Sequence, residues 1–214
     1  MSTSTTPPSV VSRHHRAATD LPVVETFHSV QGEGLWAGVS AFFIRLAGCD
    51  VGCPWCDTKQ SWHRRHPYQS TSQLAEAAQA AQPKFVVITG GEPLMHDVTA
   101  LTQALKSHGL QVHLETSGAH PLSGIFDWIT LSPKQYKAPL PAIYPHVSEL
   151  KVVIAAMEDF HWAEAQAANV PETAAKLLQP EWNTPESQTW IIDYVKHHPD
   201  WRVGLQTHKF IGVR

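Results

Sequence analysis

The stretch AFFIRLAGCDVGCPWC, residues 41–56, runs from a short aromatic and aliphatic segment through a glycine into three closely spaced cysteines. Ala41 to Leu46 reads as a strand of the kind buried in a parallel sheet. Gly48 permits a tight turn, and Cys49, Cys53 and Cys56 follow with the spacing C-x3-C-x2-C. Working outward, apolar runs rich in Val, Ile and Leu predict strands near Val23 to Phe27, Phe85 to Thr89, Gln111 to Glu115, Trp128 to Ser132, Glu149 to Ile154, Lys176 to Gln179 and Arg202 to Gln206. Helical spacing predicts helices over Thr71 to Ala81, Val98 to Ser107, Met157 to Ala168 and Pro185 to His197. Thr71 and Asp97 are the expected N-caps of the first two. The segments from Glu115 to Trp128 and from Ser132 to Glu149 hold Pro, Gly and Ser without a helical stripe. The expected fold is therefore α/β, an incomplete parallel (β/α) barrel of about six strands with reduced helix content.

Composition bounds the alternatives. A chain of 214 residues with 43% hydrophobic and 16% charged residues suits one globular domain, expected over residues 21–214. The formal charge of -3 supplies no basic field for nucleic acid. The apolar runs Phe85 to Ile88 and Leu150 to Ala156 fall far short of the ~20 residues that span a bilayer, so no membrane association is expected. Residues 1–20, rich in Ser, Thr and Pro and carrying Arg13, His14, His15 and Arg16, read as a flexible tail, with an organelle-targeting peptide as the alternative. The three cysteines lie too close together for a disulfide framework, which points to a reducing cytoplasm.

Three thiolates on one small loop can bind three irons of a cubic cluster. With no fourth cysteine in the chain, the fourth iron is left open for chemistry. The competing reading is a structural zinc site completed by one of the 14 histidines. Spacing speaks against it, because structural zinc sites pair two short Cys or His modules, whereas His63 and His66 stand in a separate polar stretch. Trp55, just before the last cysteine, offers a face for a flat adenine.

The strand Phe85 to Thr89 ends in Gly90-Gly91-Glu92-Pro93, where two glycines allow close backbone approach and Glu92 supplies an acceptor suited to an ammonium group; a plain strand-to-helix turn is the alternative. Thr116-Ser117-Gly118 and Ser132-Pro133-Lys134 end two further strands, where α/β folds bind ligands, though each also fits a cap or turn. The cysteine spacing with its preceding aromatic residue and the GGEP turn together resemble the radical S-adenosylmethionine superfamily. The resemblance implies a [4Fe-4S] cluster on Cys49, Cys53 and Cys56, and S-adenosylmethionine bound near Trp55, Cys56, Asp57, Gly90, Gly91 and Glu92. Thr116, Ser117, Ser132, Pro133 and Lys134 would then be its ribose and carboxylate contacts. It also implies a low-potential electron donor such as a flavodoxin.

Ahead of the cluster loop stands Ser29-Val30-Gln31-Gly32-Glu33-Gly34, a glycine-paired turn between two predicted strands. Its amide and carboxylate can read the donor and acceptor edge of a pterin or guanine-like ring, and Arg45 on the next strand can pair with a substrate carboxylate or sit in a buried salt bridge. Asp57-Thr58 follows the last cysteine, and Gln206-Thr207-His208-Lys209 stands near Arg214. With Q-G-E-G, GGEP and Ser-Pro-Lys, these segments resemble the 7-carboxy-7-deazaguanine synthase family from about Val24 onward. That resemblance implies a pterin substrate, 6-carboxy-5,6,7,8-tetrahydropterin, contracted with loss of ammonia to a 7-deazapurine precursor of queuosine. It implies Gln31, Gly32, Glu33, Arg45, Thr89, His208 and the carboxylate of Arg214 as substrate contacts, Mg2+ on Thr58, and a homodimer. Two rivals remain: an activase that makes a glycyl radical on a partner protein, and a non-catalytic iron-sulfur or zinc redox sensor. His63, His66, His146, His161, His197 and His198 are expected at the surface, and most of the eight tryptophans in the core or a dimer contact.

Overall fold

The computed structural model describes residues 19–63 and 65–214, so most of the stretch read as a tail lies outside the described residues. Among the described residues nine strands pair into one sheet: β1 (Leu21–Val30), β2 (Ser40–Leu46), β3 (Tyr68–Gln69), β4 (Phe85–Gly90), β5 (Val112–Thr116), β6 (Trp128–Leu131), β7 (Glu149–Ile154), β8 (Ala175–Pro180) and β9 (Trp201–Val203). Their order is β3-β1-β2-β4-β5-β6-β7-β8-β9. From β2 to β9 every neighbour is parallel, while β1 runs antiparallel to both β2 and β3. The sheet does not close, as an incomplete barrel requires, but it has nine strands rather than about six. β3 escapes sequence reading because two residues carry no periodicity.

The crossovers explain the modest helix content. α1 (Thr71–Ala81) leads from the cluster loop to β4, α2 (Thr99–Ser107) joins β4 to β5, α3 (Asp159–Ala167) joins β7 to β8, and α4 (Glu186–His197) joins β8 to β9. Between β5 and β6 no helix forms, and between β6 and β7 only a 3-10 turn at Pro141–His146, as the Pro- and Gly-bearing linkers predict. A short α5 (Thr207–Ile211) follows β9. The N-cap of α1 is Ser70, not Thr71: Ser70 keeps extended dihedrals and forms a reciprocal capping box with Gln73, while Thr71 is already helical. Asp97 accepts the Thr99 amide at 2.9 Å, but the N-cap of α2 is Val98, one residue further on. The strand expected over Arg202 to Gln206 ends at Val203, because residues 204–206 leave the sheet to reach the cleft.

Strand alternation divides the core into two sides. Phe42, Ile44 and Leu46 of β2, Val86 and Ile88 of β4, and Leu150, Val152 and Ile154 of β7 pack under Leu74 of α1, Leu101 and Leu105 of α2, Phe160 of α3 and Ile191 of α4. The intervening residues face the other side of the sheet. There Ala41, Phe43, Phe85 and Val87 form a smaller cluster with Phe27, Trp36 and Val39. His113 of β5 stacks on Phe85 with ring centroids 3.9 Å apart, and Trp36 and Trp128 lie against it. Burial pushes the His113 imidazole down to about 4, so it is neutral in this apolar layer.

Candidate active site

The side of the sheet opposite α1 to α4 and the C-terminal ends of the parallel strands line a cleft of about 580 Å³. This is where parallel α/β sheets place their ligand sites. Cys49, Cys53 and Cys56 line one side, on the loop that leaves β2. The end of β4 packs directly on that loop: Gly91 N donates to Leu46 O at 3.0 Å and Glu92 N to Gly48 O at 2.8 Å. A Cβ on Gly91 would meet Gly48 O at 2.3 Å and Cys49 Cβ at 2.9 Å. The GGEP glycines thus admit protein backbone at close range, which fixes the cysteine loop against the sheet.

Glu92 is 1% exposed. Its carboxylate accepts from Leu94 N, Thr116 Oγ1, Ser117 N and Ser117 Oγ at 2.5 to 3.0 Å. The three motifs read separately along the chain are therefore bound to each other, and the Thr116 and Ser117 hydroxyls already donate inward. Lys134 Nζ is held by Ser132 through its carbonyl and hydroxyl oxygens at 2.6 and 2.5 Å. Burial pushes this lysine down to about 8, next to Cys53. Pro133 lies outside the cleft lining, beside Trp162. Trp55 lines the cleft and tilts against Tyr136 at 5.3 Å. Thr58 Oγ1 donates to Asp57 Oδ1 at 2.9 Å, and Asp57 is in turn 3.5 Å from Lys209.

The opposite part of the cleft is a floor of buried charge. Lys151 of β7, 5% exposed, pairs with Glu33 and lies 3.9 Å from Glu115 of β5. Gln206 Nε2 donates to Glu33 Oε1 at 2.8 Å, and Gln31 Nε2 to Glu115 Oε1 at 2.9 Å. Burial works to raise the Glu33 carboxyl, but the Lys151 ammonium and the hydrogen bonds from Lys151 and Gln206 prevail and hold it down to about 2. Lys151 moves up: burial opposes its charge, and the Glu33 and Glu115 carboxylates outweigh that. Gln31 is spent on protein, since its Oε1 accepts from Gly32 N and Glu33 N at 2.8 and 3.2 Å. Its amide shapes the Q-G-E-G loop, leaving Glu33 as the group that faces the cleft with acceptor capacity.

The chain's last segment completes the wall. Thr207 N and Oγ1 both donate to Gly32 O, at 2.8 and 2.9 Å. His208 lies over Gly32 so closely that a Cβ there would meet its Nδ1 at 2.2 Å. Arg45 Nε pairs with Glu25 Oε1 at 3.0 Å, Arg214 pairs with the other oxygen of Glu25, and Thr89 sits beside Arg45 in register. The structure thus brings every sequence-predicted site residue except Pro133 into one cleft lining. Sequence reading passed over Glu115 and Lys151, and also Trp62 and Gln179, which line the same cleft. A lysine inside the apolar run of β7 was the available signal, since a charge there must be paired.

Three sulfurs on one loop beside an open cleft suit a cluster whose irons take one thiolate each. An open parallel sheet, a C-x3-C-x2-C loop after its first parallel strand and a GGEP turn after the next define a radical S-adenosylmethionine protein, and the radical SAM superfamily profile matches residues 43–136. Its cluster and S-adenosylmethionine follow from that membership.

Relatives narrow the class. A 7-carboxy-7-deazaguanine synthase from Synechocystis sp. is 57% identical, over 90% of this chain and 93% of its own length. The synthase of the same name from Flavobacterium psychrophilum is 50% identical, over 90% and 92%. A crystal structure of QueE from Escherichia coli superposes with a TM-score of 0.80 at 30% identity, covering 89% of this chain and 96% of that one. The chain belongs to the 7-carboxy-7-deazaguanine synthase family.

Proposed function

We propose that this chain is a lyase that converts 6-carboxy-5,6,7,8-tetrahydropterin to 7-carboxy-7-deazaguanine by ring contraction with loss of ammonia, in 7-deazapurine biosynthesis. The observation that carries this is the floor opposite the cysteines, where Glu33 is held ionised between Lys151 and Gln206. A fixed carboxylate accepts the paired N–H groups of a pterin's pyrimidine edge. Arg45 and His208 flank it to receive the substrate carboxylate, with Thr89 beside Arg45 and Arg214 at the rim. Neither a glycyl-radical activase nor a redox sensor calls for such a floor.

Cys49, Cys53 and Cys56 hold the cluster, which with S-adenosylmethionine supplies a 5'-deoxyadenosyl radical when bound. Glu92, Thr116 and Ser117 keep the Gly90-Gly91 backbone in place for the methionine amine, and Ser132 and Lys134 face its carboxylate. Trp55, Cys56 and Asp57 lie on the adenosine side. Thr58 offers a hydroxyl, an oxygen ligand suited to Mg2+ that keeps waters or substrate oxygens as its other partners. Residues 21–214 act as one domain in a reducing cytoplasm, reduced by a donor such as a flavodoxin and paired as a homodimer. No helix among the described residues is long and apolar enough to cross a membrane.

The test is anaerobic reconstitution followed by dithionite, S-adenosylmethionine, Mg2+ and the tetrahydropterin acid. The deazaguanine acid should appear by mass spectrometry, with S-adenosylmethionine regenerated. A fully loaded cluster that yields only 5'-deoxyadenosine would remove the substrate assignment and keep the superfamily.

A further inference from the structure

The three cysteine sulfurs differ in what touches them. Cys56 Sγ accepts from the Trp62 indole Nε1–H at 3.3 Å and from the Thr58 main-chain N–H at 3.4 Å. Among the described residues it is the one cysteine with a side-chain donor on its sulfur. Trp62 is not placed there by chance of a mobile side chain. It ends the 3-10 turn Lys59–Trp62, whose carbonyls hold the cysteine loop: Gly48 N donates to Ser61 O at 2.7 Å and Cys49 N to Trp62 O at 3.2 Å. Ser61, fully buried, anchors the turn through Ser61 Oγ to Thr58 O at 2.7 Å. Lys59 Nζ stands 6.0 Å from the centre of the Trp62 ring. A cation at that distance draws on the indole π-system and strengthens its N–H as a donor.

A thiolate bound to iron keeps lone pairs and still accepts hydrogen bonds. Each N–H aimed at it favours the reduced, more negative state of the cluster, so the potential rises. We propose that Trp62, polarised by Lys59, is a positioning and tuning residue: its Nε1–H···Sγ bond to Cys56 raises the potential of the one-electron couple of the cluster. The consequence is a division of labour. The bond eases electron entry from an external low-potential donor and correspondingly weakens the reduced cluster as a reductant of the S-adenosylmethionine sulfonium. The inference rests on the cluster-bearing reading given above.

The experiment is an EPR-monitored potentiometric titration, with dithionite as reductant, of the reconstituted holoenzyme and of W62F, W62H and K59M. In W62F the ratio of reduced to oxidised cluster at a fixed potential should fall roughly tenfold, which for one electron is a midpoint about 59 mV more negative. W62H, which restores a ring N–H, should recover part of that shift, and K59M should move the midpoint the same way by less. Once fully reduced, W62F should cleave S-adenosylmethionine faster in a single turnover. A W62F protein with full iron and sulfide content and an unchanged midpoint would overturn the proposal, leaving the indole a packing role. Lower cluster content without a midpoint shift would overturn it equally. Should W62F take up no cluster at all, K59M decides, because it leaves the turn and the indole intact: an unmoved midpoint there rejects the tuning role. A wild-type chain that takes up no cluster would instead defeat the functional reading on which the inference stands.

Discussion

The two ends of the cleft are built by opposite means. At the cysteine end, backbone meets backbone: Gly91 and Glu92 bond to Leu46 and Gly48, and glycines make the approach possible. At the floor, contact is between long charged and amide side chains drawn from β5, β7, the Q-G-E-G loop and the segment after β9. The first needs contiguous motifs, because backbone proximity requires small residues at fixed places. The second can gather its members from anywhere in the chain, because a lysine spans several ångströms. The cysteine end should therefore fail by losing its cofactor, and the floor by losing stability and substrate together.

The largest expected effect tests the floor. Lys151→Met leaves Glu33 and Glu115 facing each other without their cation, and breaking a buried pair from one side costs about 3–5 kcal/mol. Urea unfolding should show that loss. The double variant K151M/E33Q should recover part of it, since one uncompensated charge is gone, and the difference from additivity measures the coupling. If K151M unfolds at the wild-type midpoint, the floor is not held by charge and the contrast collapses.

Beneath the floor lies His113, whose imidazole is neutral because burial holds it down to about 4. In the unfolded chain it titrates near its ordinary value, so between roughly pH 6.5 and 4 the unfolded state binds the extra proton. Stability is therefore full above about pH 6.5 and falls as the pH drops toward 4, by on the order of 3 kcal/mol from this group. His113→Phe, which keeps the stack on Phe85, should remove that part of the acid sensitivity while leaving stability near pH 8 little changed. An identical acid profile in the variant would show that the imidazole does not titrate between the two states.

Gly91→Ala tests the cysteine end. Its Cβ would press on Gly48 O and Cys49 Cβ, and relieving such overpacking typically costs about 1–3 kcal/mol. Iron and sulfide per chain should drop roughly five- to hundredfold in occupancy at limiting iron, while circular dichroism keeps its wild-type shape. Wild-type loading in this variant would mean the loop does not depend on that close approach.

The same contrast explains what could be read from the chain. The cysteine loop, GGEP and Ser-Pro-Lys were legible because each is a run of adjacent residues with a backbone requirement, and the parallel order followed from the alternation of strands and crossovers. Pro133 was carried in by its motif alone and faces away from the cleft. Lys151 and Glu115 were missed since their meaning depends on sheet register, which places β5 and β7 on either side of β6. Gln31 was legible as a site residue, yet only the fold shows its amide turned to Glu115 and to its own loop. The cap of α1 was misplaced by one residue, because Ser70 and Thr71 are chemically equivalent as caps and only the dihedral angles separate them.

That cap supplies the smallest effect and the control for the others. Ser70 Oγ accepts from the Gln73 main-chain N–H and the Ser70 main-chain N–H donates back to Gln73 Oε1, outside the cleft on the helix that follows the cluster loop. Ser70→Ala should cost about 1 kcal/mol of stability. Cluster content, potential and turnover should stay at wild-type values wherever the protein is folded, because no cleft residue touches the capping box. A loss of cluster content in S70A would instead tie α1 to the loop through residues 57–69, so that the cysteine end would share the floor's dependence on distant side chains. Cluster content measured beside the urea midpoint in the same preparation separates the two outcomes.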